Sequence, residues 1–276
     1  MKARFFSLTF VIIYSCSPFS IVLNNTFLPT IYFQKEINRL EKKEPSFINN
    51  RKIIKSKIEF AYGIILEKSD RIIEDNYKDS QNQNRKAQSL FLETKQLCFE
   101  NLGLSEPDSD DLLSYLKKSN LTKENIYELY YLSASIGGLI KTSKGDPKEL
   151  INFPQIGILL RKAINLEPNW NNGSLQSAMM SYTASRMDID KSIMKDSINF
   201  YFDKTLDYSE SLDASAFVSY AELVYKPDQN KEGFINILEK AISIKTKKGS
   251  SFKLSNMIAQ NRADWLLSNV EDYFIE

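Results

Sequence analysis

Lys162-Ala163-Ile164-Asn165-Leu166-Glu167-Pro168 reads as the end of a helix: a basic residue, a small one, two staggered aliphatics, then a proline that cannot continue it. Lys204-Thr205-Leu206-Asp207-Tyr208 and Lys240-Ala241-Ile242-Ser243-Ile244 repeat the pattern, and Lys95-Gln96-Leu97-Cys98-Phe99 is a looser copy. The second residues of these copies stand at 96, 163, 205 and 241, so the later intervals are alike and the first is roughly double. A small residue ahead of two aliphatics lets a helix pack closely on its neighbours. The recurrence predicts stacked helical hairpins, an architecture that offers binding surfaces rather than a reaction centre. Coincidence in a helix-rich chain is the competing reading.

Composition agrees with an all-α fold. Only 9 Gly and 8 Pro occur in 276 residues, so few positions break a helix. Basic and acidic residues number 36 and 35, and no basic block stands apart from neighbouring acids, which argues against a nucleic-acid footprint. Histidine is absent, removing the commonest general base and the commonest transition-metal ligand together.

Lys2 and Arg4 precede an apolar run, Phe5 to Tyr14, too short to span a bilayer comfortably. Ile13-Tyr14-Ser15-Cys16 then resembles a bacterial lipoprotein box, which implies a signal peptide over 1–15 and a lipid on Cys16. Tyr14 departs from that pattern, and a plain signal peptide or an uncleaved anchor is the alternative. With Cys16 acylated only Cys98 remains, a lone thiol in an apolar helical run that reads as core. Residues 16–50 form an anchored N-terminal segment whose Ser17 to Phe33 stretch is too apolar for a flexible tether, and 51–276 the helical repeat domain.

Helical patterning extends over Arg51 to Tyr77, Gln88 to Leu104, Asp111 to Lys118 and Glu124 to Ile140, with Asp79 to Asn84 as a turn or a solvated stretch. Asp146-Pro147 opens another turn, as cap and first helical residue. Ile156 to Leu166, Gly173 to Arg186, Ser192 to Tyr208, Ala214 to Val224, Lys231 to Ile244 and Ser251 to Phe274 complete the set. The intervals between helix ends fit the ~34-residue tetratricopeptide period, one or two at a time.

The run Leu150-Ile151-Asn152-Phe153-Pro154, then Leu159 through Pro168-Asn169-Trp170-Asn171-Asn172-Gly173, is similar to the TatT family, the T components of tripartite ATP-independent periplasmic (TRAP) transporters. So is the tail Asn256-Met257-Ile258-Ala259-Gln260-Asn261-Arg262-Ala263-Asp264-Trp265-Leu266-Leu267. Phe60-Ala61-Tyr62-Gly63 and Leu129-Tyr130-Tyr131-Leu132 stand where members carry comparable stretches. Met187-Asp188-Ile189-Asp190 replaces the glycine pair usual in the family, leaving that loop's contacts open. The resemblance implies a lipid-anchored protein of the bacterial periplasm, tetratricopeptide-like, that docks a solute-binding protein, forms a homo-oligomeric ring and holds or passes a hydrophobic ligand. Its membrane contact would run through the lipid anchor, with neither cofactor nor nucleic acid involved.

For such a cleft, Tyr130, Tyr131, Trp170 and Tyr182 are the aromatic candidates. Gly137 and Gly138 each cost a helix roughly 1 kcal/mol relative to Ala, so something is expected to approach the backbone there. The plainer reading is that the aromatics fill core and the glycines admit a crossing helix. Asp108, Asp110 and Asp111 cluster at a helix start, where acids suit the dipole without any catalytic duty. Asp188 and Asp190 supply too few oxygens for Ca²⁺. No phosphate loop or nucleophile elbow occurs. Catalysis is not expected, and the alternative to a transporter component is a tetratricopeptide scaffold for envelope protein assembly without a small ligand.

Overall fold

A computed structural model describes residues 27–104, 109–247 and 249–275. The signal segment, Cys16 and Asp108 lie outside them, as do the side chains of Asp110 and Asp111. Among the described residues the regular structure is entirely helical.

Helix α1, Phe27–Glu41, buries Phe33, Ile37 and Leu40 at helical spacing, and Phe33 stacks on Phe60 with centroids 5.4 Å apart. Helix α2, Phe47–Phe60, starts ahead of the expected Arg51 because Ser46 caps it, its side chain accepting from the Asn49 N–H at 3.2 Å. It runs into π-turns over Ala61–Leu66 and on into α3, Glu67–Ile72. The chain breaks short of Tyr77, at Asn76, which caps α4, Tyr77–Asn101, by accepting from the Asp79 N–H at 3.0 Å. The polar stretch Asp79 to Asn84 is therefore helix. Its buried Ser80 meets Ser69 of α3 through hydroxyls 2.9 Å apart, so small polar groups pack where the pattern shows no apolar stripe.

Helix α5 covers Ser109–Lys118, and α6, Ile126–Ser143, follows a 3₁₀ turn at Lys123–Asn125. Asp146 and Pro147 open the short α7, Pro147–Leu150, as expected. Helices α8 (Phe153–Leu166), α9 (Trp170–Ala184) and α10 (Lys191–Ser209) come next. Helix α11, Ala214–Tyr220, runs into a second π-helical segment at Ala221–Tyr225. Helices α12 (Lys231–Ser243) and α13 (Lys253–Ser268) precede a last 3₁₀ turn at Val270–Tyr273.

Each helix packs mainly on near neighbours: α2 with α4, α4 with α6, α6 with α8, α8 with α9, α9 with α10, and α11 with α12 and α13. The four recurring helix ends fall at the ends of α4, α8, α10 and α12. Ala163, Thr205 and Ala241 are fully buried, as a small residue at a crossing should be. The looser copy is not equivalent, because Gln96 is exposed and the small buried residue there is Cys98. Burial raises the Cys98 thiol well above its usual range. One core cluster joins α1 through α9, a second joins α11 through α13, and a small third around Met180, Ile198 and Val224 links them.

Candidate functional site

Tyr130 and Tyr131 stand about one helical turn beyond Tyr127 on α6, so each neighbours it. Tyr127 is fixed twice: its hydroxyl donates to the Arg51 carbonyl at 2.6 Å, and the Arg51 guanidinium lies 4.8 Å from its ring centroid. Arg51 is itself held by the fully buried Glu128, Nε to Oε1 and Nη2 to Oε2 both at 2.7 Å, a bidentate pair that raises the guanidinium's proton affinity. The aromatic face of α6 is thereby anchored to α2.

Trp170 joins it from α9. After Pro168 the chain passes through left-handed backbone at Asn171 (φ 48°), Asn172 (φ 55°) and Gly173 (φ 92°) before continuing as helix. Asparagine tolerates this conformation and glycine prefers it. A Cβ at Gly173 would also lie 3.3 Å from the Thr205 carbonyl oxygen of α10. The turn sets Trp170 5.2 Å from Tyr130 and 6.4 Å from Tyr127 by ring centroid, while Tyr130 and Tyr131 meet edge-on at 5.0 Å.

The structure thus brings together three of the expected residues, Tyr130, Tyr131 and Trp170, and adds Tyr127. Tyr182 belongs to a separate contact, stacked on Phe153 at 4.9 Å and seated against Gly157, where a Cβ would come within 2.5 Å of its ring. The two glycines of α6 differ. Gly138 admits the Phe91 ring of α4, 2.5 Å from where its Cβ would stand, whereas Gly137 has only the Tyr62 hydroxyl at 3.5 Å and Ile156 at 3.8 Å. Two hollows between helices lie elsewhere, one bounded by α1, the first π-turns, α3 and α13 and the other by α1, the first π-turns and α4, and neither is lined by these aromatics.

Sequence reasoning missed three neighbours. Tyr62 donates to the Ala134 carbonyl at 2.8 Å. Glu59 and Asp213 place their carboxylates near Tyr130, whose hydroxyl is pushed up to about 12 by burial and then by those two charges. Glu59 keeps 33% of its side chain accessible, yet burial raises its proton affinity, the combination expected of a group in a recess. Asp213 is 8% exposed and also raised by burial, although its Oδ1 accepts from the Ser215 N–H at 3.0 Å and from the Ser215 hydroxyl at 2.6 Å. Tyr62 was visible in the Phe60-Ala61-Tyr62-Gly63 run, whereas nothing in the sequence ties Glu59 or Asp213 to α6.

Chemically, the arrangement is a wall of aromatic faces flanked by two carboxylates. The Tyr62 and Tyr127 hydroxyls are engaged by backbone carbonyls, so they are not poised as nucleophiles. Among the described residues no three of Cys, Asp and Glu converge as a metal site, and Asp188 is engaged by Arg186 at 2.7 Å. No helix of the described residues is long and apolar enough to cross a membrane.

An uncharacterized protein of Treponema pallidum (strain Nichols) is 20% identical over 227 residues, covering 79% of this chain and 70% of the relative. The sequence model of the TRAP transporter T-component family matches residues 52–274. That match runs from the first turns of α2 to just beyond the last 3₁₀ turn and takes in the aromatic wall, so the chain belongs to the T-component family of TRAP transporters.

Proposed function

We propose that this chain serves a TRAP-type transporter as a lipid-anchored accessory protein in the periplasm, docking the system's solute-binding protein and holding a hydrophobic ligand at the aromatic wall. The observation that carries the reading is the family match over 52–274. Residues 1–15 act as signal peptide in this reading, Cys16 carries the lipid, 16–50 link it to the body, and 51–276 form the binding domain. Tyr127, Tyr130, Tyr131 and Trp170 stack on an apolar ligand, and Tyr182 with Gly137 extends the surface. Docking falls to α10 and the loop before it, where Met187 is fully exposed and Phe200 is 54% exposed, the kind of apolar side chain that anchors an interface. No covalent step is assigned to any residue.

The test is a pull-down of the full chain from solubilised native membranes, with mass spectrometry of bound proteins and lipids and of Cys16. Recovery of a solute-binding protein, lost in Phe200→Glu, is the expected result. Envelope-assembly proteins without a solute-binding protein would overturn the reading in favour of a scaffold, and an unmodified Cys16 would remove the anchor.

A further inference from the structure

A groove of about 310 Å³ lies between α1, the Ala61–Leu66 π-turns and α4, and none of the aromatic-wall residues named above lines it. Its floor is apolar: Phe60, Ile64 and Ile65 are buried, and Leu90 is half-buried. Its rim is polar, and the charged groups on it are both cationic, Lys68 and Lys86. The nearby carboxylates are already engaged. Asp79 pairs with Lys68 at 3.3 Å and accepts from Gln83 at 3.2 Å, and Glu93 is held by Lys57 and by the Ser89 hydroxyl. Lys86 has no ion-pair partner among the described residues. The groove therefore pairs an apolar trough with an excess of positive charge at its edge, two lysines against the single carboxylate of Asp79.

We propose that this groove binds a single-chain anionic amphiphile, the chain lying on Phe60, Ile64, Ile65 and Leu90 and the acidic head meeting Lys86 and Lys68. Size supports one chain, since the volume equals that of about ten water molecules and stands at the small end of ligand pockets, roughly 300–1,000 Å³. Charge excludes a cationic head, which Lys86 would repel, and a neutral head would leave the lysine without a partner. A carboxylate and a phosphate monoester share the required chemistry. The site is separate from the aromatic wall and does not depend on docking of a solute-binding protein.

The experiment is calorimetric titration of the detergent-free full chain with decanoate, decyl phosphate and decyltrimethylammonium, each below its micelle concentration. A diazirine-bearing decanoate then locates the site by photolabelling and peptide mapping. Expected are one-to-one binding of at least one of the two acids, the tighter naming the head group, and labelling within 60–68 and 83–90. The Lys68→Gln/Lys86→Gln pair, with unchanged thermal unfolding, should weaken binding about tenfold or more. Decyltrimethylammonium binding as tightly as the acids would overturn the anionic assignment. No binding, or labelling at Tyr127 to Tyr131 and Trp170 instead, would overturn the site while leaving the pull-down test of the transporter reading untouched.

Discussion

Gly137 and Gly138 are adjacent in α6 and have opposite surroundings. A methyl at 138 would collide with the fully buried Phe91 ring, which has no free direction in which to yield, whereas a methyl at 137 meets only ordinary contacts. Gly138→Ala should therefore destabilise by about 1–3 kcal/mol through overpacking. Gly137→Ala should be neutral or stabilise by up to about 1 kcal/mol, because the helix loses a flexible residue. Urea unfolding of the two variants checks both, and equal effects would refute the assigned contacts. The sequence reveals that something approaches α6 at this pair, but not that Phe91, far away in the chain, chooses one glycine over the other. Glu59 carries a second prediction at the same scale. Burial raises its carboxyl above the ordinary 4.5, so in the window just above that value the folded chain holds a proton that the unfolded chain has released. Its contribution to stability is greatest below 4.5 and is lost as pH rises through the folded value. Glu59→Gln should consequently raise the melting temperature at pH 7 and leave it nearly unchanged at pH 4.

Among the elements, α13 shows why the tail motif has its composition. Asn256 accepts from the Ala214 N–H at 2.9 Å and donates to the Leu212 carbonyl at 2.7 Å, tying the start of α11. Gln260 donates to the carbonyls of Ala241, Ile242 and Ile244 at 3.1, 3.2 and 2.8 Å, satisfying the end of α12. Arg262 binds Glu222 of the second π-segment at 2.7 Å, stands 3.6 Å from Glu67, and lies over the Trp265 ring. Its loss takes the ion-pair partner from the partly buried Glu222 and leaves Glu67 to Arg71 alone, at 3.1 Å, so Arg262→Ala should cost about 2–3 kcal/mol, against about 1 kcal/mol for Gln260→Ala. Thermal unfolding orders the two, and a larger loss in Gln260→Ala would show that the ion network contributes little. Most helices and the cap at Asp146 were legible, because capping is local chemistry, whereas the left-handed backbone at Asn171 to Gly173 was read only as a helix start. The π-turns at Ala61–Leu66 and Ala221–Tyr225 were not. One inserted residue leaves an apolar run looking helical, although it rotates the following side chains by about 100°. The role of Asn256, Gln260 and Arg262 was equally hidden, since each is defined by partners in other helices.

Among the described residues the core is divided: one cluster spans α1 to α9, another α11 to α13, and a small group around Met180, Ile198 and Val224 links them through the chain's middle. The second link is α13 itself, which returns to the beginning of the fold. Ile258 comes so close to Gly63 that a Cβ there would stand 2.7 Å from it, and Arg71 of α3 donates to the Asn261 side chain at 2.8 Å while its guanidinium faces the Trp265 ring. A contact between residues so distant in sequence carries a large loop-closure cost when formed alone, so it holds only while both clusters are folded. It therefore couples them, and cutting it should uncouple them before it unfolds either. Hydrogen exchange on an Arg71→Ala/Asn261→Ala chain is the measurement. Amides of 214–225 and 253–268 should lose protection first, while those of 126–166 keep theirs, because the latter lie in the larger cluster and owe nothing to the seam. If protection instead falls evenly across both regions, the body unfolds as one unit and the seam is only one contact among many.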